Sequence, residues 1–283
     1  MNKNVAKKIR AELTADCSKC FGLCCTALHL IASSDFPIDK PKGTPCMNLQ
    51  SDYSCQIYSE LREKGFKGCT VFDCLGAGQV VSQVTFRGQS WRENPEIGEK
   101  MFQVFPIMEQ IHEMIGYAAE AMSYDIPNAL FEKLSEQLKE LQKLPELNAD
   151  ELLELDLVMH RSSLNELLTA ANDYIREKTI AQLFHKQKDK MFNRTRVDWI
   201  GKKLEGEDLR GTDFRGAYLI AADMRNADLR AVNFIGADLR DADLSGANLS
   251  TSMYVTQMQM NSAHGDKTTK LPPHIQRPSH WTD

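Results

Sequence analysis

The chain has 283 residues, enough for one large domain or two to three smaller ones. It is 42% hydrophobic and 26% charged with a formal net charge of −5, which is typical of a soluble globular protein and gives no reason to expect direct nucleic-acid binding. Its apolar runs fall short of the roughly 20 residues that span a bilayer, so we expect no membrane partner and a cytoplasmic location.

The first pattern along the chain is a cluster of cysteines, because none occurs after position 74. The eight are Cys17, Cys20, Cys24, Cys25, Cys46, Cys55, Cys69 and Cys74. In a cytoplasmic protein such a cluster indicates metal or redox chemistry more often than disulfides. Soft sulfur ligands favour zinc, iron or an iron–sulfur cluster, and eight thiolates would fill two four-ligand sites.

Spacing within the cluster adds detail. Cys17 and Cys20 form a Cys-x-x-Cys turn, which brings two sulfur atoms to one metal with little strain. The side chains of the adjacent Cys24 and Cys25 diverge, so these two residues fit two different sites, or a bridge between two metals. His29 and Asp73 lie near cysteines in sequence and are candidates for additional ligands, although an ordinary polar role is the simpler interpretation.

The spacing of the first four cysteines resembles the CxxCxxCC motif of the YkgJ-like family of zinc- or iron-chelating proteins, although the second gap here has three residues. Further similarity lies in Pro45–Leu49, in Cys55–Tyr58 and in the pair formed by Cys69 and Cys74. The resemblance covers about residues 14–80 and implies metal binding by the eight cysteines, without a reaction. Structural disulfides and buried thiols without metal stay open as alternatives.

The middle of the chain is predicted to be α-helical, with about four helices packed on each other. Apolar residues recur three and four apart, as in the stripes Phe102–Ile115 and Leu130–Leu141. Leu152, Leu155 and Met159 are predicted to form a third stripe, with Asn148 as a candidate N-cap before it. The basic stretch from Lys186 to Lys203 is interpreted as a linker or as a face that meets the next module.

A period of five residues begins near Lys202 and is the least ambiguous feature of the sequence. The fifth positions are large and apolar: Leu204, Leu209, Phe214, Leu219, Met224, Leu229, Phe234, Leu239, Leu244, Leu249 and Tyr254. Neither a helix nor a simple strand would place all of these residues on one face. A chain that turns a corner every five residues would place all of them on the inside. The small residue of each pentad would also point inward, and Asp or Asn would point outward.

This run resembles the pentapeptide-repeat family, as Ala237–Asp241, Ala242–Gly246 and Ala247–Thr251 illustrate. The resemblance implies a right-handed quadrilateral β-helix with four pentads per coil. The predicted fold is therefore mixed: a loop-rich, cysteine-rich metal-binding domain at residues 14–90 and an α-helical region at 91–198, followed by the β-helix at 199–256. Residues 257–283 are predicted to form a C-terminal cap and tail, because a stack of coils needs its open end closed.

The leading functional hypothesis is a zinc- or iron-binding repeat protein that acts as an interaction or scaffold module, with another protein as its partner and no assigned reaction. One alternative is a thiol- or metal-dependent redox enzyme. Another, suggested by pentapeptide-repeat relatives, is a DNA mimic that protects topoisomerases. Residues 202–251 carry nine acidic and seven basic side chains, which disfavours a strongly anionic DNA-like surface.

Overall fold

The computed structural model describes residues 3–183 and 193–281. The chain divides into two compact units, one comprising residues 1–123 and 131–167 and the other residues 124–130 and 168–283. Of the basic stretch from Lys186 to Lys203, residues 186–192 lie outside the described residues, and residues 193–203 form parallel bridges with the pentads that follow. No helix of the described ranges is both long enough and apolar enough to cross a membrane.

The helices of the described ranges run from α1 to α9 along the chain. They are α1 (Lys3–Glu12), α2 (Leu23–Ala27), α3 (Lys67–Val71), α4 (Ala77–Val80), α5 (Pro95–Ser123), α6 (Asn128–Leu141), α7 (Ala149–Glu154), α8 (Leu157–Leu183) and α9 (Gln257–Ser262). Short 3₁₀ segments occur at Cys17–Lys19, Tyr58–Glu60 and Leu144–Glu146, and a π-helical turn at Val81–Thr85 follows α4.

Helix α5 is the centre of the N-terminal unit, and α1, α2, α4 and α7 pack against it. The stripe predicted from the sequence is confirmed, since Phe105, Met108, Ile111 and Ile115 are all buried. The segment before α5 is loop-rich: between α2 and α3 two isolated antiparallel bridges hold the chain, Leu30–Lys40 and Leu49–Cys55. The cysteines therefore lie on short elements that a long helix supports.

The third apolar stripe is only partly correct. Asn148 is the N-cap of α7, and its side chain and that of Glu151 form a capping box, as expected. However, α7 ends at Glu154, and a new helix, α8, begins at Leu157. The side chain of Asp156 precedes α8 and accepts hydrogen bonds from the amides of Val158 and Met159. Met159 consequently does not continue the stripe of Leu152, and its side chain is 66% exposed.

The pentads form a stack of coils, with four pentads in each coil. We call residues 193–255 the repeat stack. Residues 20 positions apart are joined by single parallel bridges, from Asn193–Asp213 to Asn233–Met253. Each pentad also closes a turn, as where the amide of Glu207 donates to the carbonyl of Leu204 at 3.2 Å. The third residue of these turns mostly has a positive φ, as at Gly206 (69°), a conformation that costs glycine little.

The prediction of a C-terminal right-handed quadrilateral β-helix is wrong, because the described residues contain isolated bridges and no β-strand or sheet. The physical reason is the length of the pentad. The turn takes up four residues, as at Leu204–Glu207, and leaves one residue, Asp208, to form a parallel bridge, although the amides of Leu204 and Gly206 also donate to the next coil. A single bridged residue per side does not make a strand.

The interior of the repeat stack follows the five-residue period, as predicted. Every fifth residue from Phe214 to Tyr254 is buried, Leu204 is also buried, and Leu209 is partly buried. The small residues of the pentads are buried beside them, at Thr212, Ala217, Ala222, Ala227, Val232, Ala237, Ala242 and Ala247. Asp213 and Asn233 depart from the expected outward position, since both are 1% exposed.

Candidate metal centre

Four of the cysteines lie in one neighbourhood, here called the first cysteine set (Cys17, Cys20, Cys24 and Cys74). Together with Asp16, Gly78 and Phe105, these four line one small pocket beside the start of α4. They reach it from separate elements: a 3₁₀ turn, its C-cap, α2 and the loop before α4. Residues at the two ends of the cysteine-rich segment are thereby brought together.

The other four form the second cysteine set (Cys25, Cys46, Cys55 and Cys69). All of them belong to one apolar cluster that also contains Phe36, Leu61 and Phe66. The amide of Cys46 donates to the carbonyl of Cys25 at 2.9 Å, which fixes the loop against α2. The charges of Cys25, Cys46 and Cys55 all act on Cys69, so these thiols are electrostatic neighbours.

Cys24 and Cys25 connect the two sets, because neighbouring residues of α2 contribute to different sets. Their sulfur atoms are 3.9 Å apart and share a hydrogen bond, so the expectation that the two side chains diverge is wrong. Cys17 also interacts electrostatically with Cys25, although it lines the pocket of the first set. The two sets are therefore adjacent, and all eight thiols are free of disulfide bonds.

Burial is the main cause of raised thiol pKa values in both sets. It raises the pKa of Cys20 to about 11 and that of Cys69 to about 12. The same direction and cause hold for Cys17, Cys55 and Cys74. A metal binds the thiolate and must displace these protons, so we expect metal affinity at both sets to increase with pH.

The adjacent pair behaves differently from the other thiols. The hydrogen bond between Cys24 and Cys25 raises the pKa of Cys24 well above its usual value and lowers the pKa of Cys25. The charge of Lys40 lowers the pKa of Cys25 further, against the opposing effect of burial. Cys25 is consequently the thiol of this pair that loses its proton first.

Backbone amides point at the sulfur atoms of the first set. The amide of Leu23 donates to Cys20 Sγ at 3.5 Å, and the amides of Gly76 and Gly78 donate to the sulfur of Cys74. Such bonds favour the thiolate and lower the pKa, although burial outweighs them here. They are the kind of contact that stabilises a metal-bound thiolate.

Gly78 is a residue of this site whose role the sequence did not reveal. A Cβ atom added at Gly78 would lie 2.7 Å from Cys20 Sγ, so only glycine leaves room for that sulfur. In the sequence, Gly76-Ala77-Gly78 is only a weak glycine signal that lacks a phosphate-binding pattern. The signal that identifies it is position, since Gly76 and Gly78 lie two and four residues after Cys74.

The two remaining candidates differ in placement. The side chain of His29 is exposed, and it is not among the groups that line the pocket of the first set. Asp73 accepts a hydrogen bond from the amide of Leu75, and its charge acts on Cys17 and Cys74. Of the two, Asp73 alone is placed beside a cysteine set.

The cysteine sets fit zinc or iron by donor type and by number, because each neighbourhood offers four soft ligands. As the side chains stand, no three His, Cys, Asp or Glu side chains in residues 3–183 and 193–281 form a group that could hold a metal ion. Binding at either set would thus require its sulfur atoms to converge. The sulfur atoms could converge by side-chain rotation and by small shifts of the short loops, without any rearrangement of α5.

A relative from Bacillus subtilis (strain 168), Uncharacterized protein YybG, is 50% identical over 273 residues, which cover 96% of each chain. The chain belongs to the same family as YybG. The family described as Pentapeptide repeats also matches, with eight copies over residues 203–230 and 212–250, which confirms the resemblance of the repeat. These matches do not bear on the resemblance to the YkgJ-like family, which stays a prediction.

Two solved structures are similar to part of the chain, and both are described as pentapeptide repeat proteins. The one from the Arabidopsis thaliana thylakoid lumen is 27% identical, with 30% of this chain and 55% of that chain covered and a TM-score of 0.23. The one from Nostoc Pcc 7120 is 26% identical, with 35% and 88% covered and a TM-score of 0.19. The matched part of this chain thus spans about half the length of the Arabidopsis protein.

Proposed function

We propose that this protein is a zinc- or iron-binding pentapeptide-repeat protein that acts as an interaction or scaffold module, with one metal ion at each cysteine set. The observation that supports the metal proposal is the division of eight free thiols into two neighbourhoods of four. A Cys₄ site has no open position for substrate, so the metals would be structural. They would staple a segment whose own helices are short.

The test is elemental analysis of protein purified without oxygen, with an absorption spectrum of the same sample. We expect two metal ions per chain, colourless if zinc and coloured if iron–thiolate. The double variant Cys20→Ser/Cys74→Ser should lose one ion, and Cys46→Ser/Cys69→Ser should lose the other. His29→Ala is the matched control and should keep both ions, and folded wild-type protein without metal would refute the proposal.

The interaction role is supported by the outer surface of the repeat stack. Ile200 and Tyr218 lie on adjacent coils, where the amide of Trp199 donates to the carbonyl of Tyr218, and both side chains are more than half exposed. Exposed apolar side chains on a regular surface suit a protein partner.

The DNA-mimic alternative receives no support from the same surface. Aspartates of the repeats bind the arginine two positions later, as in Asp208–Arg210 (2.8 Å) and Asp238–Arg240 (2.6 Å). Such pairing neutralises the negative charge that a mimic of duplex DNA needs. We expect no effect on gyrase supercoiling at micromolar protein, and clear inhibition would reverse this conclusion.

A thiol-dependent redox role is the second candidate, favoured by the Cys24–Cys25 pair. The sulfur atoms are 3.9 Å apart and the pKa of Cys25 is lowered, which are properties that dithiol chemistry uses. On this alternative, Cys25→Ser would abolish thiol–disulfide exchange while both metals stay bound. We expect the opposite result, loss of the ion from the second set.

A further inference from the structure

Lys40 is a lysine whose side chain is buried beside the second cysteine set, with 3% of the residue exposed. Its ammonium group donates to four backbone carbonyl groups. The acceptors are the oxygens of Thr26 (3.1 Å), Leu28, Pro41 (3.2 Å) and Thr44 (2.9 Å). Since an ammonium group has three protons, these four acceptors satisfy it completely.

The four carbonyls belong to the two segments that carry Cys25 and Cys46. Thr26 and Leu28 follow Cys25 at the end of α2, whereas Pro41 and Thr44 precede Cys46 in the loop. The same two segments are joined by backbone bonds, because the amide of Cys46 donates to the carbonyl of Cys25 and the amide of Gly43 donates to the carbonyl of Thr26, which Lys40 also uses. Lys40 therefore ties together the two backbone segments from which these sulfur atoms project.

The charge of Lys40 is the second part of the argument. Among the described residues, no carboxylate forms an ion pair with Lys40, and the ionisable groups that act on it are the thiols of Cys24, Cys25 and Cys46. A buried cation is costly unless an anion or well-placed dipoles compensate it. Four thiolates around a divalent ion carry a net charge of −2, which would add an anion to the four carbonyl dipoles that already compensate Lys40.

We propose that Lys40 is a positioning residue of the second cysteine set, which aligns Cys25 with Cys46 and offsets the negative charge of a bound metal–thiolate centre. This inference rests on the proposed metal binding. A neutral side chain at this position would leave four carbonyls without their donor and the thiolates without a nearby cation. Of the first cysteine set, Cys24 alone interacts electrostatically with Lys40, and none of the four carbonyls belongs to a residue of this set, so the first set serves as an internal comparison.

The experiment measures cobalt(II) affinity by competition with a chelator under reducing, oxygen-free conditions. Two backgrounds isolate the sets: Cys20→Ser/Cys74→Ser leaves the second, and Cys46→Ser/Cys69→Ser leaves the first. Lys40→Met should weaken binding at the second set by about 10- to 100-fold, as changes next to metal ligands do. Its effect on the first set, which Lys40 reaches only through the charge of Cys24, should be much smaller, and Lys42→Met, at an exposed lysine two residues away, should change neither set.

A second readout uses metal-free protein, in which Lys40→Met should accelerate hydrogen exchange at the amides of Gly43 and Cys46. These amides bond to the carbonyls of Thr26 and Cys25 across the same junction. Lys40→Arg keeps the charge and should recover most of the affinity lost at the second set. If Lys40→Met does not fold, Lys40→Arg decides, because the smaller loss of affinity that arginine leaves should fall on the second set far more than on the first.

The outcomes separate the two proposals. Wild-type protein that binds no cobalt or zinc at either set refutes the proposed function, and the role of Lys40 with it. Wild-type protein with two ions, combined with unchanged affinity at the second set in Lys40→Met, overturns the role of Lys40 alone. Equal weakening of both sets also overturns it, because the effect would then be a general loss of stability.

Discussion

The carboxylate of Asp213 is buried in the repeat stack and held by three side chains. Its Oδ2 atom lies 2.7 Å from Arg215 Nη2 and 3.6 Å from Arg176 Nη1, and its Oδ1 atom accepts a hydrogen bond from Asn233 Nδ2 at 3.0 Å. The guanidinium of Arg176 also donates to the carbonyl of Gly211 at 2.7 Å. One carboxylate thus joins α8 to two coils of its own unit.

Replacing Asp213 by alanine should lower the free energy of unfolding by about 3 kcal/mol, because a buried ion pair that loses one partner leaves the other charge uncompensated. Asp208→Ala is the matched control, since Asp208 pairs with Arg210 in the same way but its side chain is 44% exposed. Exposed pairs contribute about 1 kcal/mol or less. Urea unfolding would measure both variants, and equal losses would contradict the burial argument.

The aromatic ring of Phe36 lies so close to Gly68 in α3 that this position has no room for a side chain. A Cβ atom at this position would lie 2.2 to 2.9 Å from three ring atoms, and the next residue is Cys69 of the second set. Gly68→Ala should therefore displace the ring or α3 and cost about 1 to 3 kcal/mol.

The control for this prediction is Gly98→Ala in α5. Its new Cβ atom would meet the nearest atom, of Trp91, at 3.3 Å, and alanine is intrinsically favoured in a helix. Thermal unfolding of the two variants should differ clearly, with Gly98→Ala close to the parent protein. A Gly68→Ala protein as stable as its parent would show that Phe36 moves aside without cost.

Among the elements, the repeat was the most accessible to sequence reasoning, because burial follows directly from its period of five. The β-helix prediction was wrong because the five-residue pattern does not show that the turn takes up four residues of each pentad and leaves one for a bridge. Lys40 could not be found from sequence, since its partners are backbone carbonyls and not side chains. The burial of Asp213 was also hidden, because its pentad looks like every other pentad.

Two tryptophans pack against the apolar core of the repeat stack with an arginine over each ring, Trp199 with Arg194 and Trp281 with Arg277. Trp199 lies 5.5 Å from the ring of Phe214, with Arg194 5.5 Å above it. Trp281 packs in the stack's apolar core, and its Nε1 atom donates to the carbonyl of Ala263 at 3.0 Å. A broad ring covers the last apolar layer, which the repeats themselves leave open.

Trp281→Ala should uncover this layer and lower the free energy of unfolding by about 3 to 5 kcal/mol, the usual cost of removing a buried tryptophan. Met258→Ala in α9 is the matched control, because its side chain is 39% exposed and should change stability little. Binding of a hydrophobic dye should increase for Trp281→Ala alone. An unchanged unfolding curve for that variant would show that the cap does not need the ring.

At the scale of the whole molecule, the two units are stabilised by different means. All the cysteines belong to the N-terminal unit, whose residues 13–66 contain one short α-helix, α2. The repeat stack has a continuous apolar core and a ladder of backbone hydrogen bonds, such as Leu204 to Asp223 at 2.7 Å. The first unit would thus depend on metal for part of its stability, and the second would not.

Metal removal tests this difference in a single experiment. Because a metal that binds only the folded state stabilises it, a chelator under reducing conditions should accelerate hydrogen exchange across residues 17–80. Residues 204–255 should exchange at the same rate with and without metal, and they serve as the control within the same molecule. Readdition of zinc at neutral pH should restore the protection from exchange. At acidic pH zinc should restore less protection, because the buried thiols stay protonated and metal must displace their protons. Uniform acceleration along the chain would mean that the two units unfold as one, and no change anywhere would remove the structural role of the metal.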